Sequence, residues 1–272
     1  MMHRPLTVED LLPQGELARL GRRVFMHAAT DSTNLFLLER AGELGDGTVA
    51  CAEFQTAGRG RLGRRWEAPR GSSILVSVLL HEPADSPLLS AGAMLAALAA
   101  CEAIETATDC TPGVRWPNDI VRAGRKLGGV LAESCVLPGA ARAVVIGVGI
   151  NCLQHRAHFA GALADTATSL ECECRHPVAR PAVAAGLLER LDHWLLRCRQ
   201  AEAWSDIRSA WQRRCEDVGT RVTLEHDGRT YAGTALEIAA TGELVVALDD
   251  DTRRQFDAAN TTRIAPSSEA GP

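Results

Sequence analysis

The stretch that most constrains the fold is GRGRLG at residues 58–63, because it matches the G-x-G-x-x-G fingerprint of dinucleotide-binding folds. That fingerprint requires a strand before it and a helix after it, whose N-terminal amides bind a pyrophosphate. Residues 47–55 predict the strand, but residues 64–73 contain a proline, a glycine and two serines and lack an apolar helical period. Since a second strand, ILVSVLL, follows at 74–80, the glycines lie in a loop between strands. A nicotinamide dehydrogenase of the Rossmann type is therefore disfavoured.

Composition and charge disfavour several other classes of protein. The 272 residues are 46% hydrophobic and 23% charged, which is ordinary for a soluble globular protein. A net charge of -5 argues against binding through the overall electrostatic field, so nucleic acid is not an expected partner. The apolar runs are too short to span a bilayer, and the first residues lack the pattern of a signal peptide. We therefore expect a cytoplasmic protein with no membrane partner.

The cysteines predict reduced thiols, since all nine are scattered and show no framework of paired spacings. The tightest cluster, ECECRH, places Cys172, Cys174 and His176 together. No second Cys/His pair lies nearby at ligand spacing. We therefore predict no metal site formed by protein ligands.

Up to residue 216 the chain alternates between predicted strands and helices. An opening helix is expected within residues 11–24. A second helix, within residues 31–43, is expected to begin after Asp31 or Ser32 as its cap. Its predicted apolar stripe is Leu35, Leu38 and Ala41. Further helices are predicted at 86–107, 181–199 and 203–215, and strands at 48–54, 74–80, 113–117, 126–134 and 142–152.

The pattern changes after Asp217. Short runs of alternating polarity are separated by HDG, ATG and DDD, which are signals of β-hairpins. Residues 217–265 therefore predict a small all-β module, and its few large apolar residues imply that it leans on the main domain. Residues 266–272 are predicted to be a disordered tail.

The loop between the strands predicted at 48–54 and 74–80 is locally basic. It contains five arginines between Arg59 and Arg70 against one acid, Glu67, for a local charge of +4. Guanidinium groups bind phosphate and carboxylate oxygens in a bidentate manner, and glycines let a backbone fold closely over a ligand. The loop therefore predicts a mobile anion-binding element that closes over its ligand. The alternative is a solvated basic loop without function.

Three further motifs carry polar groups at strand or helix ends. In WPNDIVRAGRKLGG, Asn118 and Asp119 are predicted to lie in a turn, and Lys126 begins a strand with two glycines that allow close approach. In VVIGVGIN the strand glycines indicate a nearby ligand or backbone, or else a bulge or tight packing against a helix. DSTN at residues 31–34 is either a helix cap or a set of hydrogen-bonding groups for a small polar heterocycle.

Together, DSTN, QTAGRGRLGRRW, RWPNDI with RKLGGVLAE, and GVGIN resemble the biotin–protein ligases in their order and rough spacing. The resemblance covers about residues 24–215, and residues 217–264 resemble the small SH3-like C-terminal barrel of that family. It implies an α+β fold in which a mixed β-sheet is backed by helices, akin to class II aminoacyl-tRNA synthetases. The implied division is a catalytic ligase domain at 1–216, an SH3-like domain at 217–265 and a tail at 266–272.

The resemblance also implies a function. Biotin is activated with ATP to biotinyl-5'-AMP and pyrophosphate, and is then transferred to a lysine of the biotin carboxyl carrier domain of acetyl-CoA carboxylase or a related carboxylase. ATP would carry Mg²⁺, which its phosphate oxygens and water largely hold. The implied biotin-binding residues are Ser32, Thr33, Asn34, Gln55, Arg59, Gly60, Arg61 and Lys126. The implied adenylate-binding residues are Arg61, Arg64, Trp66, Asn118, Lys126 and Asn151.

Three residues are assigned to catalysis. Arg61 and Lys126 would stabilise the charge that develops on the α-phosphate. Asp119, an acid beside the site, is our candidate for accepting the proton of the incoming lysine. One departure from the family pattern is Leu62, where some relatives carry another arginine.

Two related alternatives remain. A lipoate–protein ligase would share the fold and the adenylation chemistry, but its arginine-glycine motif differs. A biotin-responsive DNA-binding repressor is disfavoured, because only about twenty-three residues precede the first strand expected in the chain, too few for a helix-turn-helix domain, and the net charge is acidic. We therefore expect a short form without an N-terminal DNA-binding domain. The sequence leaves a monomer and a homodimer open.

Overall fold

A seven-stranded mixed sheet forms the larger part of the molecule, which the computed structural model describes for residues 4–13, 17–239 and 241–264. Its strands are β1 (Arg23–His27), β2 (Thr48–Ala52), β3 (Ser73–Glu82), β4 (Gly113–Arg115), β5 (Asp119–Arg122), β6 (Arg125–Val136) and β7 (Arg142–Asn151). Their order across the sheet is β1-β2-β3-β7-β6-β5-β4. Strands β1 and β2 are parallel, and the other neighbours are antiparallel.

Helices cover both faces of this sheet. They are α1 (Val8–Leu11), α2 (Thr33–Glu39), α3 (Leu88–Ala107), α4 (Leu163–Thr166), α5 (Leu170–Glu173), α6 (Arg180–Arg197) and α7 (Ala203–Arg214). Side chains alternate between the two faces of a strand, so Ile74, Val76 and Val78 of β3 join the core formed with α3 and α6. Leu79 instead packs in the smaller core under α2. The predicted mixed sheet backed by helices is confirmed.

Helix α3 is the central helix of the larger core. Contrary to the expectation that the apolar runs are too short to span a bilayer, its 20 residues are long and apolar enough by length and composition, with a mean hydropathy of 1.6 over an 18-residue stretch, but 72% of that stretch is buried inside the protein. It packs extensively against α6 and against β6 and β7. Its apolar character is thus accounted for by burial within the fold.

Five further strands form a C-terminal antiparallel sheet. They are β8 (Arg221–His226), β9 (Arg229–Ile238), β10 (Leu244–Leu248), β11 (Arg253–Phe256) and β12 (Thr261–Ile264), in the order β11-β10-β9-β8-β12. Apolar residues of this sheet, such as Val222 and Phe256, belong to the same contiguous core as Trp211 of α7. The predicted β module therefore does lean on the main domain. A boundary at residues 216/217 stays a prediction, and the tail at 266–272 lies outside the described residues.

Two local predictions are wrong. Helix α1 ends at Leu11, and residues 17–22 are not helical, because the backbone N–H groups of Ala18, Arg19 and Leu20 donate to the buried carboxylate of Asp192 at 2.8–3.0 Å. That carboxylate replaces the carbonyl acceptors that a helix would supply.

The predicted stripe on α2 is also rotated from the true one. The helix is capped by Ser32 as expected, and Ala41 just beyond its end is buried as predicted, but within the helix Thr33, Asn34 and Leu37 are buried rather than Leu35 and Leu38. Polar side chains occupy its buried face because a cavity lies beneath its first turn.

Candidate active site

A cavity of about 580 Å³ lies on the face of the sheet that α2 covers. Every residue that the sequence assigned to the site lines it: Ser32, Thr33, Asn34, Gln55, Arg59, Gly60, Arg61, Arg64, Trp66, Asn118, Asp119, Lys126 and Asn151. Four motifs that are far apart in the chain therefore meet in one place. The loop over residues 58–66 and the strand-borne Lys126 share this cavity, as the interpretation of the sequence requires.

The glycines of β7 form the floor of the cavity. A Cβ atom on Gly147 would lie 2.1 Å from Oδ1 of Asn34, and a Cβ atom on Gly149 would lie 2.8 Å from the Trp66 ring. The two glycines therefore admit side chains of the protein itself. Gly147 packs tightly against helix α2, as one alternative predicted, whereas Gly149 packs against Trp66 of the loop. Two strand residues span about 7 Å, so Asn34 and Trp66 stand as successive walls along β7.

The first turn of α2 builds one end of the cavity, which we call the α2 end (Thr33, Asn34, Gln55, Leu131 and Gly147). The backbone N–H and the hydroxyl of Thr33 donate to Oε1 of Gln55 at 2.8 and 3.1 Å. A serine of β3 that the sequence motifs do not include, Ser77, places its Oγ 2.7 Å from Thr33 Oγ1 and 2.6 Å from Asn34 Oδ1. The signal for it was a lone hydroxyl inside the apolar run ILVSVLL.

Asn34 is held in one orientation by the protein. It is 2% exposed, and its amide donates to the Leu131 carbonyl at 3.1 Å and to Oε2 of Glu133 at 2.9 Å. Both of its N–H donors are thus in use. By contrast, within the described part of the chain the amide hydrogens of Gln55 have no protein acceptor. Gln55 is the side-chain amide that can still donate to a ligand at this end.

Lys126 marks the other end, which we call the Lys126 end (Lys126, Asp119, Asn118, Trp66 and Asn151). The Lys126 Nζ atom is 2.6 Å from Asp119 Oδ1 and 5.9 Å from the centre of the Trp66 ring. Asp119 does not lie in a turn as predicted but begins β5. The reason is Asn118, whose carbonyl accepts from the Val130 N–H at 2.9 Å and whose Nδ2 donates to the Val130 carbonyl at 2.6 Å. Because Asn118 already pairs with β6, the strand β5 begins at the next residue, Asp119.

Arg61 reaches the Lys126 end from the loop. Its Nη2 donates to the carbonyl oxygens of Ala258 and Thr261, the latter at 2.9 Å, and its Nη1 lies 3.4 Å from Asn118 Oδ1. Burial lowers the pKa of this guanidinium from its usual value, and the charge of Asp119 opposes that shift. The C-terminal sheet therefore touches the site directly.

The remaining loop residues form a short closed turn. The Gly60 N–H donates to the Arg64 carbonyl at 2.8 Å, and the Trp66 N–H donates to the Gly58 carbonyl at 3.0 Å. Leu62 lies at the tip with a φ of 55° and is 61% exposed. The prediction that residues 59–65 are mobile without ligand stays a prediction.

Two buried polar atoms near Asn151 lack partners within the described residues: Nε1 of Trp66 and Oε1 of Gln154. Asn151 itself is satisfied, because Nδ2 donates to the Thr168 carbonyl at 3.0 Å and Oδ1 accepts from Gln154 at 2.9 Å. Sequence reasoning missed Gln154 and the residues that complete this end, which are His158, Phe159, Leu163, Thr166, Ala167, Thr262 and Arg263. No local motif marks them, since tertiary folding alone brings them to the cavity.

Comparison with known proteins agrees with this geometry. The model of the biotin/lipoate A/B protein ligase family matches residues 26–151. The chain is 34% identical to the biotin–[acetyl-CoA-carboxylase] ligase of Mycobacterium tuberculosis, over 82% of either chain. It is 30% identical to the bifunctional ligase/repressor BirA of Bacillus subtilis, covering 88% of this chain and 74% of that protein.

A solved structure shows the same fold. The biotin protein ligase of Aquifex aeolicus, in complex with biotin and ATP, superposes with a TM-score of 0.77 at 23% identity, covering 90% of this chain and 99% of the other. The sequence similarity extends over four fifths of a biotin–[acetyl-CoA-carboxylase] ligase and therefore establishes the family. The similarity of the fold agrees with it. The chain belongs to the biotin–protein ligase family.

Proposed function

We propose that the protein is an ATP-dependent biotin–[acetyl-CoA-carboxylase] ligase. It converts biotin and ATP to biotinyl-5'-AMP and pyrophosphate, and then transfers biotin to a lysine of a carboxylase's carrier domain. The observation that carries the proposal is the meeting of two unlike ends in one cavity, one neutral and hydrogen-bonding, the other cationic. Membership of the family supports it.

The α2 end suits the ureido ring of biotin. That ring is uncharged and offers one carbonyl acceptor and two N–H donors, and Gln55 still has amide donors to give. Ser32 and Thr33 add hydroxyl groups, and Leu75 and Leu131 line the cavity beside the rest of the apolar ligand. In this proposal Asn34 supports the pocket mainly by holding its neighbours in place.

The Lys126 end suits the adenylate. Lys126, Arg61 and Arg64 supply positive charge for phosphate oxygens, and Asn118 and Asn151 lie beside them. Trp66, Phe159 and the aliphatic residues of the segment 159–167 offer apolar surface for a flat purine. The unpartnered Nε1 of Trp66 and Oε1 of Gln154 can each gain a partner from a nucleotide.

The first reaction joins two anions. A carboxylate oxygen of biotin attacks the α-phosphorus of ATP, the new P–O bond forms, and the bond to the departing pyrophosphate breaks. Fixed cations at the Lys126 end, above all Lys126 and Arg61, offset the repulsion and the charge that grows on the phosphate oxygens. They act strongly because the partly enclosed cavity has a lower effective dielectric constant than water. Holding both reactants in one cavity supplies the orientation that the reaction needs.

The second reaction is acyl transfer. The lysine amine of the carrier domain attacks the carboxyl carbon of biotinyl-AMP, an amide bond forms, and AMP leaves. The amine must lose a proton, and Asp119 is the carboxylate that lies at the reacting end. Its ion pair with Lys126 at 2.6 Å also orients that ammonium, so Asp119 would act in both steps.

Magnesium would arrive as part of the substrate. Of the residues lining the cavity only Glu67 and Asp119 are acidic, and Asp119 is paired with Lys126. Within the described residues no group of three or more His, Cys, Asp or Glu side chains is arranged to hold a metal ion. This donor set fits a Mg²⁺ held by ATP phosphates and water rather than by a protein cage.

A cytoplasmic location completes the proposal. All nine cysteines, each within the described residues, are free thiols, which fits a reducing compartment. Burial raises the pKa of Cys51 and of Cys152 to about 12, so these thiols stay protonated at neutral pH.

Labelled biotin and labelled lipoate test the proposal side by side, each with ATP, Mg²⁺ and an apo carrier domain. We expect biotin to be incorporated only when ATP is present, and expect a carrier lysine-to-alanine variant to remain unlabelled. Incorporation of lipoate in preference to biotin would assign the protein to the lipoate branch of the family. Incorporation of neither would overturn the proposal.

A further inference from the structure

We propose that Glu133 is a positioning residue that connects the α2 end of the cavity to the loop at residues 58–66. This inference rests on the proposed function, because it places biotin at the α2 end. Glu133 then raises the affinity for biotin and holds the loop in place over bound biotin, although it does not contact the reacting atoms.

The two oxygens of this carboxylate bind two different elements. Oε1 lies 2.9 Å from Nη2 of Arg59 at the root of the loop, and Oε2 accepts from Nδ2 of Asn34 in α2 at 2.9 Å. Glu133 lies on β6, two residues beyond Leu131, whose carbonyl accepts from the same Asn34 amide. Sheet, helix and loop therefore meet at one side chain.

The contact with Asn34 makes this more than a surface ion pair. An exposed pair contributes only about 0–1 kcal/mol, partly because both side chains must be ordered to form it. Here the Arg59 side chain is 43% exposed, but that of Glu133 is only 20% exposed and is already fixed by the buried Asn34. Asn34 in turn is fixed by Ser77 and by the absence of a side chain at Gly147. The carboxylate is thus oriented before Arg59 binds, and less entropy is lost when the pair forms.

Arg59 transmits this hold to the loop. Its backbone pairs with that of Arg65 across the base of the turn. Next to it, a Cβ atom on Gly58 would lie 3.1 Å from Nε2 of Gln55, so the loop root rests against the free donor of the α2 end. Loss of the Glu133 charge therefore loosens the start of the loop at the α2 end. Arg61 keeps its own anchors, the carbonyl groups of Ala258 and Thr261, and Lys126 lies on β6.

Steady-state pyrophosphate release from Glu133→Gln tests the inference. Glutamine keeps the size and one oxygen for Asn34, but it turns an amide toward Arg59. We expect KM for biotin to rise about tenfold, while KM for ATP and kcat stay within about twofold, since only binding at one end is weakened. Glu105→Gln is the control, because Glu105 is also a half-buried carboxylate paired with an arginine, Arg214 at 2.8 Å, and neither residue lines the cavity.

A double-mutant cycle with Arg59→Ala separates the contact of Glu133 with Arg59 from its contact with Asn34. In the Arg59→Ala background, Glu133→Gln should change KM for biotin by less than about twofold, because the charge no longer has a partner. Glu133→Ala should retain an additional effect there, because it also frees the Asn34 amide. Full additivity of Glu133→Gln and Arg59→Ala would overturn the inference.

Trypsin cleavage supplies a readout that structural damage would not mimic. Biotin should protect the loop from cleavage in the wild-type protein and protect it less in Glu133→Gln at the same fractional saturation, with an unchanged melting temperature. A wild-type KM for biotin in Glu133→Gln contradicts the inference while leaving the proposed function intact. A fall in kcat that is the same whether biotin or ATP is varied, together with a lowered melting temperature, would show a merely structural role for Glu133. That result would also contradict the inference. If the wild-type protein itself releases no pyrophosphate with biotin, the proposed function fails and this inference with it.

Discussion

The two ends of the cavity are built in different ways. At the α2 end most polar groups pair with one another, so that Thr33 donates to Gln55 and Ser77 contacts Asn34, and only the amide hydrogens of Gln55 are left to donate among the described residues. At the Lys126 end, buried polar atoms of Trp66 and Gln154 lack partners in the described part of the chain. The cation Arg61 there is held by carbonyl groups of the C-terminal sheet.

This difference indicates what each end is for. A neutral ligand gains most from donors and acceptors that are already oriented, since little order must be created on binding. A charged transition state gains most from fixed cations aimed at the charge that develops. Substitutions at the α2 end should therefore change binding, whereas substitutions at the Lys126 end should change the rate of chemistry.

The largest effect is expected from Lys126→Ala. Loss of the ammonium should slow biotin-dependent pyrophosphate release about 10³-fold, because one fixed donor at a developing anion supplies that much stabilisation. Biotin affinity, measured by calorimetry, should fall far less, since the ureido contacts remain. Near-normal pyrophosphate release would remove Lys126 from the mechanism.

Arg61→Ala should slow the same step about 300-fold, because a second fixed cation is lost beside the same phosphate. Single-turnover formation of biotinyl-AMP measures it. Arg65→Ala is the control, since Arg65 lies in the same loop with a side chain that is 66% exposed. If the two variants lose activity equally, the loop acts through its overall charge and not through Arg61.

Asp119→Asn separates the two reactions. Transfer from pre-formed biotinyl-AMP to the carrier domain should slow about 10²-fold, because proton acceptance by a positioned carboxylate contributes at least that much. Adenylation should also slow, but less, because Lys126 loses its partner at 2.6 Å. A normal rate of transfer in this variant would show that another group accepts the proton.

The smallest effects should come from the floor of the cavity, and they should differ between its ends. Gly147→Ala sets a methyl group against Asn34, and Gly149→Ala sets one against the Trp66 ring. Overpacking of this kind costs about 1–3 kcal/mol of folding free energy, which chemical denaturation measures. We expect Gly147→Ala to raise KM for biotin more than KM for ATP, and Gly149→Ala to do the reverse. Identical KM changes in both variants would mean that the two ends are not separate.

The sequence predicted the loop, Lys126 and the helix cap because each lies in a motif whose residues are close together in the chain. It could not predict Glu133 or Ser77 as parts of the site, since their roles depend on which strands are neighbours and in what register. Gly147 pairs with Ser77 on one side and with Leu131 on the other. This register places Ser77, and Glu133 two residues beyond Leu131, next to α2. The wrong opening helix has the same origin, because the carboxylate of Asp192 that binds residues 18–20 lies over 170 positions away.

The C-terminal sheet shows most clearly which parts of the site could not be predicted from the sequence. Its hairpin pattern was evident, but nothing in the local sequence indicates that the carbonyls of Ala258 and Thr261 hold Arg61 or that Arg263 lines the cavity. Backbone acceptors have no sequence signature. Only the packing of one sheet against the other reveals that both contribute to the site.

Exchange of labelled pyrophosphate into ATP tests the central claim most directly, because it requires a carboxylate and the α-phosphate to meet in one cavity. Without any carrier domain, label should enter ATP when biotin and Mg²⁺ are present, and Lys126→Ala should abolish this exchange while still binding biotin. A wild-type protein that binds biotin and ATP together yet exchanges no label would contradict the account.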